Sequence, residues 1–88
     1  MSKSLFDLDT LIEGLKQQRD ELLVQLSLAQ SEARDEWEKL EHKWQDVKGK
    51  SDAIRQEAAH TTEEVVEATK LMAEEVKKGY DRIRKLLS

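Results

Sequence analysis

The sequence predicts an all-α protein whose chain forms an antiparallel two-helix hairpin, and three observations favour this fold. The 88 residues include no proline and 39% of them are charged, a composition typical of long helices or coiled coils. Apolar residues recur at steps of three and four in both halves of the chain. A glycine, Gly49, stands between the two halves, where a chain reversal would pair them.

The predicted elements are a first helix over about 5–48, a turn over about 48–51 and a second helix over about 52–87, within one domain spanning residues 1–88. Gly49 suits a helix end because glycine readily adopts the left-handed conformation found there. Lys48 and Lys50 complement the negative end of the first helix dipole. A second glycine, Gly14, is interpreted as a weak spot near a helix end.

Reversal at Gly49 places residues whose numbers sum to 98 opposite one another, so that two apolar stripes form one seam. The predicted seam residues are Leu15, Leu22, Leu26, Trp37, Leu40, Trp44, Ile54, Val65, Met72, Val76, Tyr80 and Ile83. The same contacts could form between two chains if Gly49 stays helical. Two continuous rods, each roughly 130 Å long, would then pair antiparallel.

Residues 22–29 carry more aliphatic surface than one seam requires. Val24 and Leu28 form a pair four residues apart that faces away from the seam. A helix that is apolar on more than one face is normally buried on more than one face, which predicts that two hairpins dimerise into a four-helix bundle. The predicted interface comprises Leu23, Val24, Leu28, Val66 and Ala73.

Composition narrows the function classes. The chain contains no cysteine, which suits a reducing cytoplasm, and no apolar run long enough to span a bilayer or to serve as a secretory signal, so a cytoplasmic protein is expected. No block of one charge is long enough to predict nucleic-acid binding. Neither a cofactor nor catalysis is expected, because the sequence shows no arrangement of a nucleophile with a base and an orienting group. The first hypothesis is a structural or interaction protein that self-associates as a homo-oligomer.

Two alternatives come from other classes. An amphipathic protein of the membrane surface would use Tyr80, Ile83, Leu86 and Leu87 together with the cations Arg82, Arg84 and Lys85. A metal-binding bundle would use the Glu-x-x-His spacing of Glu57 and His60, which the hairpin register brings near Glu41 and His42. A solvated edge of the hairpin accounts for these four residues as well.

The segment RDEWEKL at residues 34–40, continued by Trp44, Gly49, Ala58, Ala59 and Leu71, resembles sequences of a loose group of small bacterial coiled-coil proteins. Some members are labelled stress-response or apolipoprotein-like proteins. The resemblance covers about 15–87 and rests on repeated tryptophan, leucine and alanine on a charged helical background. It implies a helical hairpin and supplies no catalytic residues.

Overall fold

The computed structural model describes residues 2–87, with side chains described from residue 5, and all its regular elements are helical. Its α-helices are α1, Ser2–Leu26; α2, Ser31–Gln56; and α3, Glu63–Leu87. A short 3-10 helix, Ala58–His60, joins α2 to α3. The helices pack side by side as a bundle measuring 44 × 18 × 17 Å. The prediction of an all-α fold is therefore confirmed for the part of the chain that the structure describes.

The predicted turn at Gly49 is wrong. Gly49 lies inside α2, which continues for seven further residues to Gln56, and no glycine in the described residues adopts a positive φ. The chain reverses at residues 27–30 and again at residues 57–62. Glycine at an exposed helix position costs only about 1 kcal/mol relative to alanine, so burial of three apolar stripes against one another outweighs it.

Cross-helix contacts define the direction of each helix. Arg19 of α1 pairs with Glu41 of α2, whereas an earlier residue of α1, Asp9, pairs with a later residue of α2, Arg55. Helices α1 and α2 are therefore antiparallel. Two contacts show that α2 and α3 are also antiparallel. Trp37 of α2 stacks on Tyr80 of α3, and the later residue Lys50 of α2 donates a hydrogen bond to the sulfur of the earlier residue Met72 of α3.

Helix α3 consequently runs parallel to α1. Two ion pairs show this directly, Lys70 with Asp7 and Arg84 with Glu21, each with nitrogen and oxygen 3.8 Å apart. Both pairs differ by 63 in residue number, so residue n of α1 lies beside residue n + 63 of α3. The predicted register, in which opposite residues sum to 98, requires antiparallel halves and is wrong. A rod near 130 Å is likewise excluded for this chain by its longest dimension of 44 Å.

The core lies along the common axis of the three helices, with α3 packed extensively against both α1 and α2. Most of the predicted seam residues lie in it, although they meet different neighbours from those expected. Val65 is an exception, because its side chain is 48% exposed while that of Val66 is buried. The apolar members of the core are Leu8, Ile12, Leu15, Leu22, Trp37, Leu40, Trp44, Val47, Ile54, Val66, Ala73, Val76, Tyr80 and Ile83, with Leu5, Leu11, Leu26, Met72 and Leu87 at its margins.

The first turn is made without glycine or proline. Past the end of α1, the Ala29 N–H donates to the Leu26 carbonyl at 3.0 Å, a tight closure typical of a helix carboxyl end. The Arg34 guanidinium donates to the Ser27 carbonyl at 3.0 Å and so satisfies a further acceptor. Local residue types did not reveal this turn because every residue in it is also compatible with a helix.

The second turn is marked by threonines. Thr61 Oγ1 donates to the Glu57 carbonyl at 2.8 Å, and Thr62 Oγ1 accepts a hydrogen bond from the Val65 N–H at 3.3 Å. Thr62 is thus the residue that caps α3, and the acidic residues Glu63 and Glu64 follow where the helix dipole favours them. This threonine followed by two glutamates is the sequence signal that predicts the beginning of α3.

Candidate functional site

Apolar side chains lie in solvent at both ends of α1. Phe6 is 69% exposed near the beginning of the helix, and three more are exposed where the helix meets the first turn. Leu23 is 41% exposed, Val24 78% and Leu28 92%. These three residues are referred to below as the turn patch. They belong to the predicted interface, and the fold leaves them on the surface. The other two residues of that prediction, Val66 and Ala73, are fully buried in the core, so their assignment to an outer contact is wrong.

The turn patch lies within an uncharged segment. Residues 22–31 contain no Asp, Glu, Lys, Arg or His, although 39% of the whole chain is charged. It is the longest such run in the sequence. Interface cores between proteins are depleted in charged residues in the same way. The segment therefore has the composition of a surface that another protein covers.

Backbone hydrogen bonds hold the turn patch in place. Leu28 N–H donates to the Gln25 carbonyl at 3.2 Å, and Ser27 Oγ donates to the Val24 carbonyl at 3.4 Å. Because these local bonds occupy the polar groups of the turn, the Leu28 side chain projects outward from an ordered backbone. Such a surface can be covered without ordering a flexible loop first.

A groove lined by both apolar and polar residues continues the turn patch between α1 and α2. It has a volume of about 370 Å³ and reaches from Leu23 to the indole of Trp37. The two helices approach each other less closely than either approaches α3, which leaves this groove open. Its lining residues are Leu23, Leu26, Ser27, Arg34, Trp37 and Glu38.

A polar and aromatic network adjoins the groove at Trp37. Arg19 Nε and Nη2 donate to the two carboxylate oxygens of Glu41 at 2.8 and 2.9 Å, and the guanidinium lies 6.0 Å from the centre of the Trp37 ring. Trp37 stacks on Tyr80 with ring centres 5.7 Å apart. The network thus joins all three helices. A bidentate pair of this kind fixes the relative position of α1 and α2 more firmly than a single contact.

Two groups in this network have shifted pKa values. The hydrogen bond that Arg19 donates to the Glu41 carboxylate raises the pKa of Arg19, so the guanidinium stays charged. Burial raises the pKa of the Tyr80 phenol, and the negative charge of Glu41 raises it further. Tyr80 Oη is buried and has no hydrogen-bond partner among the described residues. Tyr80 is therefore a neutral, structural side chain.

The proposed metal ligands are not brought together. Glu41 and His42 lie near the middle of α2, whereas Glu57 ends that helix and His60 lies in the 3-10 segment. With α2 unbroken at Gly49, roughly 20 Å of helical rise separates the two pairs. Glu41 is also held by Arg19. Among the described residues, no cluster of three or more His, Cys, Asp and Glu side chains could hold a metal ion.

The residues assigned to membrane contact are divided by the fold. Tyr80 and Ile83 are buried in the core, whereas Leu86 is partly exposed and Leu87 lies at the margin of the core. Lipid contact through the two buried residues would require the bundle to open. No helix within residues 2–87 combines the length and apolar character needed to cross a membrane.

The chain matches no known protein family, no curated protein and no solved structure in the comparisons made. The case for a function consequently depends on the surface of the bundle itself.

Proposed function

We propose that the protein is a structural or interaction protein that self-associates, with a second copy docking on the turn patch. The observation that carries this proposal is the uncharged segment 22–31 with its exposed Val24 and Leu28. The segment itself contributes no charged side chain to the contact, and the guanidinium bound to it, that of Arg34, is hydrogen-bonded to the Ser27 carbonyl. Burying an unpaired charge would be costly. A two-fold symmetric dimer uses the same surface on both subunits, so that surface must be able to pack against a copy of itself without repulsion between like charges.

The area of the interface also favours a role for the groove. A stable dimer buries about 800 Å² on each subunit, more than three side chains provide. The groove beside the turn patch adds Leu26 and the edge of Trp37 to the available apolar surface. A dimer that covers both would pair α1 and α2 of one copy with those of the other. Since small helical domains have thin cores, this additional burial also stabilises the fold.

The test is the mass of the protein in solution, measured by light scattering and by sedimentation equilibrium at micromolar concentration. The wild-type chain is expected to be a dimer. The double substitution Val24→Glu with Leu28→Glu places charges in the interface and should raise the dissociation constant by at least about a hundredfold. Because both side chains are exposed, the helical circular dichroism of the variant should match that of the wild type.

Leu71→Glu is the matched control. Leu71 is 64% exposed, but it lies on α3 beside the opposite end of α1, far from the turn patch. This variant should remain dimeric. A wild-type chain that is monomeric at these concentrations would contradict the proposal, and so would a Leu71 variant that dissociates as readily as the double variant.

A further inference from the structure

A second groove lies between α1 and α3, apart from the turn patch, and has a volume of about 360 Å³. This volume falls within the range of small-molecule sites in proteins. Its lining residues are Thr10, Leu11, Gly14, Leu15, Gln18 and Lys77. Leucines form its apolar wall, and one lysine supplies its only formal charge.

Gly14 has no packing role that requires glycine. A Cβ atom added to it would meet no other atom within 4 Å. Glycine inside a helix weakens the helix relative to alanine. Alanine would therefore suit the folded chain better, and the space above the backbone at Gly14 is open to a bound molecule. The parallel register between α1 and α3, with its offset of 63, places Lys77 directly beside Gly14.

The polar groups around the groove are not engaged elsewhere. Among the described residues, Lys77 forms no ion pair, and neither the Thr10 hydroxyl nor the Gln18 amide forms a side-chain hydrogen bond. Each of these three groups can donate a hydrogen bond. The groove thus combines an apolar wall, one cation and two further donors, and small-molecule sites in proteins likewise combine apolar walls with a few polar groups.

We propose that this groove binds a small carboxylate with an apolar tail. The carboxylate lies between Lys77 and the backbone of Gly14, where the absence of a side chain leaves room for it. The tail packs against the partly exposed Leu11, with the buried Leu15 beneath it. The inference does not depend on dimerisation, because the groove and the turn patch are made by different surfaces of the bundle.

The experiment is an NMR titration of the full chain with octanoate, below the concentration at which it forms micelles. Amide shifts are expected at residues 10–18 and at Lys77. Lys77→Gln should raise the dissociation constant at least about fivefold, because a charged hydrogen bond is lost. Lys78→Gln removes a charge from the adjacent residue, which does not line the groove, and should leave binding unchanged. The neutral analogue octanol should bind more weakly than octanoate.

A second pair of variants tests the space at Gly14. Gly14→Leu fills the groove and should abolish the shifts, whereas Gly49→Leu adds the same side chain at an open position on α2 and should not alter them. Circular dichroism checks that both variants remain folded. The proposal is overturned if octanoate causes no shifts at residues 10–18, if Lys77→Gln and Lys78→Gln weaken binding equally, if Gly14→Leu still binds, or if octanol binds as tightly as octanoate.

Discussion

Tyr80 is the only tyrosine of the chain, and its ring connects α3 to the network formed by Trp37, Arg19 and Glu41. Its ring is well packed, but its hydroxyl has no partner among the described residues. Leaving a buried hydroxyl without a hydrogen bond costs about 1 to 3 kcal/mol. Tyr80 therefore stabilises the fold through its ring and not through its hydroxyl.

Tyr80→Phe should accordingly raise the free energy of unfolding by about 1 kcal/mol, because phenylalanine keeps the stacked ring and removes the unpartnered group. Urea denaturation followed by circular dichroism measures this change. A variant that is destabilised by a similar amount would show that the hydroxyl is hydrogen-bonded in solution.

The same side chain predicts a dependence on pH. The folded protein holds the Tyr80 pKa above its ordinary value of 10.0, so above that pH the unfolded chain loses a proton that the folded chain retains. Stability should fall as pH rises, by up to about 1.4 kcal/mol per pH unit relative to Tyr80→Phe. Tyrosinate absorbance reports this group alone. Ionisation near pH 10 with helicity intact would contradict the account.

Among the helices, two glycines differ in how closely they are packed, and substitutions at both test where α2 and α3 lie. Gly49 lies in α2 with open space around it, whereas Gly79 of α3 packs against Leu40 of α2. A Cβ atom on Gly79 would lie 2.7 Å from Leu40 Cδ1 and closer still to Cδ2. Leu40 is itself buried and cannot move aside without disturbing the core.

Gly49→Ala should therefore stabilise the protein by about 1 kcal/mol through helix propensity alone. Gly79→Ala gains the same helix propensity but forces α2 and α3 apart. The free energy of unfolding should therefore fall by about 1 to 2 kcal/mol in total. Thermal unfolding of the two variants measures both effects. Destabilisation by Gly49→Ala would indicate a left-handed turn at that residue, as a hairpin requires.

The helical period of the sequence is a good guide to which residues are buried, but a poor guide to where the helices end. Trp37, Leu40 and Trp44 lie in the core because steps of three and four identify one face of a helix whatever that face packs against. The apolar step from Leu26 to Ala33 keeps the same phase across the first turn, so the pattern gives no sign that the chain reverses there.

Beyond the second turn the predicted stripe is right for Val76, Tyr80 and Ile83, which lie in the core. Val66 is buried in place of Val65, and Ala73 is buried while its predicted neighbour Met72 lies at the margin. Steps of three and four do not decide between adjacent apolar residues. For the candidate site, the sequence indicated the surplus aliphatic surface at Val24 and Leu28. The groove beside it depends on how α1 and α2 diverge, which no local pattern encodes.

In the complete bundle, one chain folds into three helices, with α1 parallel to α3. Three stripes then share one core, so each helix needs only one buried face. Helix α3 contacts both of the others and has the most sharply divided apolar and polar faces. The groove that brings Lys77 beside Gly14 exists only in this arrangement.

Distances between spin labels on α1 and α3 distinguish the parallel bundle from an antiparallel hairpin. The chain contains no cysteine, so labels can be attached at exposed positions through the pairs Thr10→Cys with Glu74→Cys and Gln25→Cys with Glu74→Cys. Dilution with unlabelled protein removes distances between chains. In the parallel bundle, Glu74 of α3 lies beside Thr10 of α1. Gln25 lies about 14 residues further along the bundle axis than Glu74, which corresponds to roughly 21 Å of helical rise.

In the parallel bundle, the pair at residues 10 and 74 gives the shorter distance and the pair at residues 25 and 74 the longer one, by roughly 10 Å once lateral spacing is included. An antiparallel hairpin that turns at Gly49 predicts the reverse order, because residue 25 would then face residue 73 or 74. Measurement of the shorter distance between residues 25 and 74 would contradict the three-helix bundle.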